Sequence, residues 1–322
     1  MPTSKGLSQA RKAKKDEFYT QLTDIEKELK FYKKKNQFKG KVVFCNCDDP
    51  TQSHFWFFFK EQFEELGLKK LITTHYSPST LFEKSPAYKR EYVGGSGNGK
   101  KTNIKGNGDF RSDVCVEILK DADIVVTNPP FSLFHEFVAQ LIQYKKKFLI
   151  IGNVNAVTGR EIFDLFKSGK IKMGRSIKSG DREFRVPNDY PLQAAGWRQD
   201  DDGNKFIRVK GVRWFTNLPF DDITDTINMP KKYSKKEYPI YDNAPDIIEV
   251  GEVKKIPKNY NGLMGVPITF LDKHNPKQFE IVGADYEMLE EAGVKGGRFK
   301  LNGKTKYARI VIKHKKGKQD GR

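Results

Sequence analysis

Four short apolar runs, separated by segments with helical periodicity, constrain this chain's fold more than any other feature. Lys41–Asn46 (KVVFCN), Lys70–His75 (KLITTH), Asp123–Thr127 (DIVVT) and Phe148–Gly152 (FLIIG) lack the polar alternation of a half-solvated strand. Such strands need cover on both faces. Phe55–Leu66, Ser112–Lys120, Leu133–Tyr144 and Arg160–Lys167 read as the helices that give it. In the third, Phe134, Phe137, Val138, Leu141 and Ile142 recur at helical spacing. Upstream, Leu22, Ile25, Leu29 and Tyr32 form the apolar stripe of a further helix within 22–36, with charged residues on its other face. Strands alternating with helices predict a doubly wound α/β domain with a mostly parallel sheet. Its ligands should sit at the carboxyl ends of the strands, near the point where strand order reverses.

The rest of the chain is less regular. Residues 77–107, rich in Ser, Pro, Gly and Lys and including GGSGNGKK at 94–101, read as a long loop or insertion. Residues 196–204 (GWRQDDDGN) read as a turn and Gly211–Leu218 as a strand. Beyond 219, Pro-punctuated segments lead to an apolar strand candidate at Pro267–Leu271 and a basic terminal strand and tail at Ala308–Lys318. No internal repeat is present. The expected division is a basic arm and closing helix (1–40), a catalytic domain (41–218) and a smaller target-recognition portion (219–322).

Charge points to the partner. Lys and Arg total 59 against 41 acids, a net charge of +18. That excess disfavours a compact state unless a polyanion offsets it, and nucleic acid gains affinity from each counterion that a neutralised phosphate releases. The lysine-rich segments Lys33–Lys35, Lys231–Lys236 and Lys313–Lys318 are individually ordinary solvated faces, and it is their sum that favours phosphate contact. A membrane surface is the weaker reading, because no stretch approaches the roughly 20 apolar residues of a span and Met1–Lys15 lacks the apolar core of a secretory signal. Three cysteines (Cys45, Cys47, Cys115) form no disulfide framework and suit a reducing compartment. The expectation is therefore a cytoplasmic protein, monomer or dimer, that binds double-stranded DNA.

The chemistry rests on Asn128-Pro129-Pro130-Phe131, directly after DIVVT and so at the carboxyl edge of the sheet. With Pro near 5% of residues, such a tetrapeptide arises by chance in roughly one chain of this length per hundred. An aromatic amine is a poor nucleophile because its lone pair is delocalised into the ring. Two hydrogen-bond acceptors on its N–H groups pyramidalise the nitrogen and aim the lone pair at a methyl donor. The Asn128 side-chain carbonyl and the Pro129 backbone carbonyl supply that pair. Consecutive prolines fix φ and remove competing donors, and Phe131 offers a stacking face. Two other readings stand: a Pro-Pro turn with Phe131 packed, and an enzyme methylating a glutamine amide. The charge favours nucleic acid over the latter.

Other motifs lead elsewhere or nowhere. Cys45 and Cys47, one residue apart and without a second pair, make a poor zinc site. His135-Glu136 begins an HExxH-like string that fails at Ala139, so no metal is expected. None of the cysteines follows a proline, as a cytosine-attacking nucleophile would. GGSGNGK lacks the P-loop spacing and reads as a flexible DNA-contacting loop, with Lys100 and Lys101 as candidate phosphate contacts. Trp214 and Phe215 are candidates for a second face against an extruded base, since an adenine within a duplex must leave the stack to react; ordinary strand packing is the equal alternative.

Seven stretches carry a resemblance: DEFYTQLTDIEKEL (16–29), KVVFCNCDDP (41–50), LGLKKLITT (66–74), GDFRS (108–112), ADIVVTNPPFSLF (122–134), KKFLIIGNVNAVT (146–158) and YNGLMGVPITFLDKHNP (260–276). Together they resemble the EcoRI-type adenine-specific DNA methyltransferases, enzymes of restriction–modification. The resemblance implies S-adenosylmethionine as methyl donor and the N6 amine of adenine as acceptor. It also implies that Phe18, Tyr19 and Thr20 close over the methionine end, that Asn46 to Pro50 form the cofactor loop with Asn46, Cys47, Asp48 and Asp49 as its candidate contacts, that Asp109 and Phe110 hold the cofactor adenine, and that Asn128 also meets the cofactor. The wider methyltransferase pattern has a Gly-rich turn where this chain has CNCDDP, and an acid after the second strand where it has His75-Tyr76. Alternatives are an RNA adenine-N6 methyltransferase and a catalytically inactive DNA-binding module. Intact NPPF and GDF favour an enzyme. Residues 260–276 are structural or part of target recognition.

Overall fold

The computed structural model describes residues 19–33, 36–77, 86–186, 196–220 and 226–315. These fall into two compact units, one within 1–156 and 173–221, the other within 157–172 and 222–322.

The first unit is built on an eight-stranded sheet in the order β4-β3-β2-β1-β5-β6-β11-β7. Its centre is parallel: β1 (Val42–Cys45) pairs with β2 (Lys70–His75) on one side and β5 (Ile124–Thr127) on the other, and β5 pairs with β6 (Lys147–Asn153). On the flanks, β3 (Tyr88–Tyr92) and β11 (Val212–Thr216) run antiparallel to β2 and β6; β4 (Lys100–Asn103) and β7 (Lys172–Met173) close the edges. The pleat splits the apolar runs between two faces. Val43, Cys45, Ile124, Val126, Leu149, Ile151 and Trp214 join one core with Ile25, Leu29 and Tyr32 of α1 (Leu22–Lys33) and with Phe55 and Phe59 of α2 (His54–Glu61). The opposite face carries α4 (Asp113–Asp121) and α5 (Phe134–Gln143). There Phe134 lies 4.8 Å from Phe215 and Phe110 5.0 Å from Phe137. Helix α5 comes so close to β6 that a Cβ on Gly152 would lie 2.3 Å from Phe134 Cε2. Helices on both faces make the fold the doubly wound α/β type.

Local chemistry starts and stops these helices as expected. Ser53 caps α2 by accepting from Phe55 N (3.2 Å), and Ser112 caps α4 by accepting from Cys115 N (3.4 Å). The segment read as one helix over 55–66 divides at Gln62 into α2 and the one-turn α3 (Phe63–Leu66), which ends on left-handed Gly67. A buried carboxylate staples α1 to the sheet: Glu28, fully buried, accepts from Tyr32 Oη (3.0 Å), Arg175 N (2.9 and 3.0 Å) and Ser176 N (2.6 Å).

Of the reading of 77–107 as a long loop or insertion, the loop is corrected for 88–103. Tyr88–Tyr92 and Lys100–Asn103 form an antiparallel hairpin that extends the sheet, in register Leu71↔Tyr92 to His75↔Tyr88. An edge hairpin draws its order from main-chain pairing with β2 and needs no continuous apolar run, so its polar sequence concealed it. A three-stranded sheet of β8 (Asp181–Val186), β10 (Lys205–Lys210) and β9 (Arg198–Gln199) was also not anticipated; β9 falls inside the expected turn at 196–204.

The second unit holds a five-stranded sheet, order β12-β13-β14-β18-β15, comprising β12 (Ile240–Tyr241), β13 (Ala244–Glu249), β14 (Leu263–Pro267), β15 (Phe279–Ala284) and β18 (Arg309–His314). Its core includes Tyr241, Ile247, Leu289, Phe299 and Val311. Helices α6 (Arg160–Lys167) and α7 (Asp285–Glu291) belong to it, joined by Arg160–Glu290 (2.7 Å) and Lys167–Glu287 (3.3 Å) ion pairs. A small hairpin, β16 (Lys300–Leu301) and β17 (Lys304–Thr305), precedes β18. The strand expected at Pro267–Leu271 ends where it was thought to begin. Pro267, with no N–H for a ladder, caps a 3-10 helix over Ile268–Asp272, and the strand precedes it.

Candidate active site

In the parallel core, β1 leads outward to β2 on one side while β5 leads to β6 on the other. The switch point therefore lies between the carboxyl ends of β1 and β5, where a crevice opens in this fold class. Asn46-Cys47-Asp48 follows β1 and Asn128-Pro129-Pro130 follows β5, so two segments 81 residues apart meet there.

Asp48 joins them. Its carboxyl is buried and gathers three donors from two places: Ser53 Oγ at the start of α2 (2.8 Å), and Thr127 Oγ1 with the backbone N–H of Asn128 at the end of β5. Burial pushes its pKa up to about 7, against the pull of those three donors, and the neighbouring Asp49 charge adds to the rise. Thr127 Oγ1 also contacts the Asn46 carbonyl, and Thr73 Oγ1 donates to the carbonyls of Cys45 (3.1 Å) and Asp48. Cys47 holds a left-handed backbone, φ +73, which turns the chain after β1 in place of the absent glycine.

The side chain of Asn46 is fixed at one end and open at the other. Its Oδ1 accepts from Thr74 Oγ1 (3.1 Å), while its buried Nδ2 has no partner among the described residues. The Thr20 hydroxyl is likewise buried without one. Thr20 reaches this region because its carbonyl hydrogen-bonds His54 Nδ1 (2.6 Å), the residue after Ser53, and because Tyr19 pairs with Arg185 of β8. Phe18 lies outside the described residues.

At the end of β2 a second cluster forms. Asp49 Oδ2 sits 3.2 Å from His75 Nδ1, Thr51 donates to Oδ1 through N (2.8 Å) and Oγ1 (2.7 Å), and Tyr88 Oη lies 3.3 Å away. Burial would raise the Asp49 carboxyl, but hydrogen bonds from His75 and Thr51 outweigh it and hold the pKa down to about 2. A carboxylate from the β1 loop, Asp49, thus stands at the end of β2, where the sequence itself has no acid.

Gly108-Asp109-Phe110 stands beside the same strand end. Gly108 has φ +76, and a Cβ there would lie 2.4 Å from the His75 carbonyl, so only glycine fits. Both Asp109 oxygens engage Arg111 (2.8 and 2.6 Å). Phe110 is buried, edge-on to Phe137 and beneath the Arg111 guanidinium at 5.3 Å.

Asn128 and Pro129 are buried, while Pro130 and Phe131 are half-buried. Phe131 packs against the α1/α2-side core, edge-on to Phe184 at 6.4 Å. The expectation for Trp214 and Phe215 is corrected. Both are fully buried, Trp214 against Phe55 and Phe215 against Phe134, on opposite faces of β11. Strand packing, not base stacking, is their role. Lys100 and Lys101 are exposed on β4, Lys101 Nζ standing 3.9 Å from the Tyr88 ring. Among the described residues no group of three or more His, Cys, Asp or Glu side chains lies together as a metal site.

The structure therefore brings Thr20, Asn46, Asp48 and Asn128 into one connected patch. Ser53, Thr73, Thr127 and Tyr88 escape sequence reasoning, as does the meeting of Asp49, placed in the cofactor loop, with His75 at the end of the second strand. Thr127, adjacent to NPPF, was the available signal; the others needed three-dimensional neighbours.

The family profile described as "Adenine-specific methyltransferase EcoRI" matches residues 6–315. The type II methyltransferase M.EcoRI of Escherichia coli is 45% identical over 327 residues, covering 98% of each chain. M.MgeORF184P of Mycoplasma genitalium is 42% identical (95% of this chain, 98% of the relative), and M.MpnI of Mycoplasma pneumoniae 39% (96% and 98%). No solved structure matches significantly.

Proposed function

Because the chain belongs to the EcoRI-type family of adenine-specific methyltransferases, we propose that it methylates the N6 amine of a flipped adenine in double-stranded DNA, as a type II modification enzyme of the cytoplasm. One observation carries this reading: Asn128-Pro129 lies at the sheet's switch point, tied through the Asn128 N–H and Thr127 to the loop that follows β1.

S-adenosylmethionine, when bound, supplies an electrophilic methyl on a sulfonium. The residues present fit it. The unpartnered Asn46 Nδ2 and Thr20 hydroxyl suit the carboxylate of its methionine end, and Asp49, held ionised, suits its ribose hydroxyls. Asp109 and Phe110, with Arg111 as their partner, border the adenine end. Cys47 and Tyr19 belong to the same two segments, in the turn after β1 and paired with Arg185. At the acceptor, the Asn128 side-chain carbonyl and the Pro129 carbonyl receive the two amine N–H bonds. So gripped, the amine nitrogen would present its lone pair to the methyl that the donor supplies, and the amine's extra proton would leave to water. Catalysis is mainly orientation. Phe131 stacks on the base. Residues 41–156 and 173–218 form the catalytic portion, 1–40 the closing arm, and 219–322, with which 157–172 pack, the target-reading portion, with Lys100 and Lys101 at the phosphates.

The test is transfer of labelled methyl from S-adenosylmethionine to duplex DNA, followed by nucleoside analysis. N6-methyladenine is expected. Label in cytosine, in RNA but not DNA, or nowhere would reject the reading. Asn128→Ala should abolish transfer while calorimetric cofactor binding persists; near-normal turnover would rule out the amine-gripping role.

A further inference from the structure

Two loops of the second unit, far apart in sequence, are stitched into one basic platform. Residues 231–236 (KKYSKK) and 254–260 (KKIPKNY) are joined by Lys258 N donating to the Lys231 carbonyl (3.0 Å), Tyr233 N donating to Asn259 Oδ1 (2.7 Å) and Tyr238 Oη donating to the Lys255 carbonyl (2.8 Å). Tyr233 lies against Tyr260 with centroids 4.5 Å apart, and against Tyr238 at 5.9 Å. A Cβ on Gly262 would lie 2.6 Å from the Tyr260 hydroxyl, so the ring is also held from behind. The tyrosine rings are the floor, and lysines ring it.

Lys231, Lys232, Lys235, Lys236, Lys254, Lys255 and Lys258 are all exposed. Nearby acids are Glu237, paired with Lys231 (3.7 Å), Glu252, paired with Lys254 (2.9 Å) and Lys255, and Asp246 near Tyr260. Seven lysines against three carboxylates leave a surplus of four. Lys232, Lys235, Lys236 and Lys258 have no acid partner among the described residues. Crowding like charges is unfavourable in isolation, yet one main-chain bond and two bonds between side chain and main chain hold these two loops together. An anionic partner repays the repulsion.

We propose that this platform is a sequence-independent contact surface for DNA backbone phosphates. Lysine is a point charge suited to phosphate rather than to bidentate base recognition. A preformed platform also spares the ordering entropy that a free lysine tail would lose. The inference rests on DNA being the substrate, but it concerns affinity and not chemistry.

The test uses the full chain with alanine at Lys232, Lys235, Lys236 and Lys258, and a fluorescent duplex of arbitrary sequence titrated across a salt series. A control carries alanine at Lys27, Lys30, Lys69 and Lys170, which are exposed in other segments and remove the same net charge. Each lost phosphate contact lowers the slope of log K against log salt by about 0.9. The platform variant should therefore lose about 2 to 4 slope units and weaken equally on any duplex sequence, with melting unchanged. An unchanged slope, an equal loss in the control, or weakening confined to single-stranded RNA would overturn the proposal. Methyl transfer is scored separately: a wild type that binds DNA steeply but transfers nothing would refute the enzymatic reading and leave this one standing.

Discussion

The buried carboxyl of Asp48 makes wild-type stability depend on pH in a direction opposite to that of an ordinary paired carboxylate. Its pKa is about 7 folded against 3.8 unperturbed, because burial penalises the charge more than Ser53, Thr127 and the Asn128 N–H favour it. The folded chain thus holds this proton more tightly than the unfolded chain. For a raised acid, the favourable contribution is fully present below the unfolded pKa and is lost as pH rises through the folded one. Between pH 5 and pH 8 the loss amounts to about 2–3 kcal/mol, on the scale of about 1.4 kcal/mol per unit. Asp48→Asn cannot titrate and escapes that loss, its amide keeping one carbonyl acceptor as the protonated acid does at pH 5. The assay is urea unfolding of both proteins at pH 5 and pH 8, followed by tryptophan fluorescence. All three tryptophans (Trp56, Trp197, Trp214) lie in the first unit, so the signal reports the fold around the site. Relative to wild type, the variant should gain about 2–3 kcal/mol on going from pH 5 to pH 8. A double difference near zero would refute the claim that an ionised Asp48 is paid for by the fold. The variant should also turn over more slowly at pH 8, since Asn offers the Asn128 N–H a weaker acceptor.

Three further outcomes follow from the packing. Glu28→Ala strands the Tyr32 hydroxyl and the N–H groups of Arg175 and Ser176; a loss of about 3 kcal/mol or more is expected in urea titration. Gly152→Ala drives a methyl group into Phe134, and overpacking should cost about 1–3 kcal/mol by the same measurement. Phe131→Ala removes the proposed stacking face, worth about 1–3 kcal/mol per base. Single-turnover transfer should fall about 5- to 150-fold, and a change within twofold at unaltered melting temperature would reduce Phe131 to a packing residue.

Much of the first unit was legible from the chain alone. Unbroken apolar runs such as VVFC and IVVT can be satisfied only between two helical layers, and Pro-Pro after a strand can only be a strand end. Those are local facts, set by periodicity and by proline's fixed φ, and they suffice for the α/β class and for the position of NPPF at a strand end. What the chain could not disclose depended on neighbours distant in sequence. Trp214-Phe215 reads alike as a stacking pair or a core pair, and only the helices on both faces of β11 decide for the core. The polar hairpin at 88–103 exists because β2 offers an unpaired edge, which no local pattern records. Asp48, a surface acid by its residue type, is a buried clasp because β1 and β5 lie side by side and their loops converge. Sequence wrote the elements and the reactive tetrapeptide; the pairing of strands decided which side chains surround it, because burial and hydrogen-bond partners belong to the assembled sheet and not to any one segment.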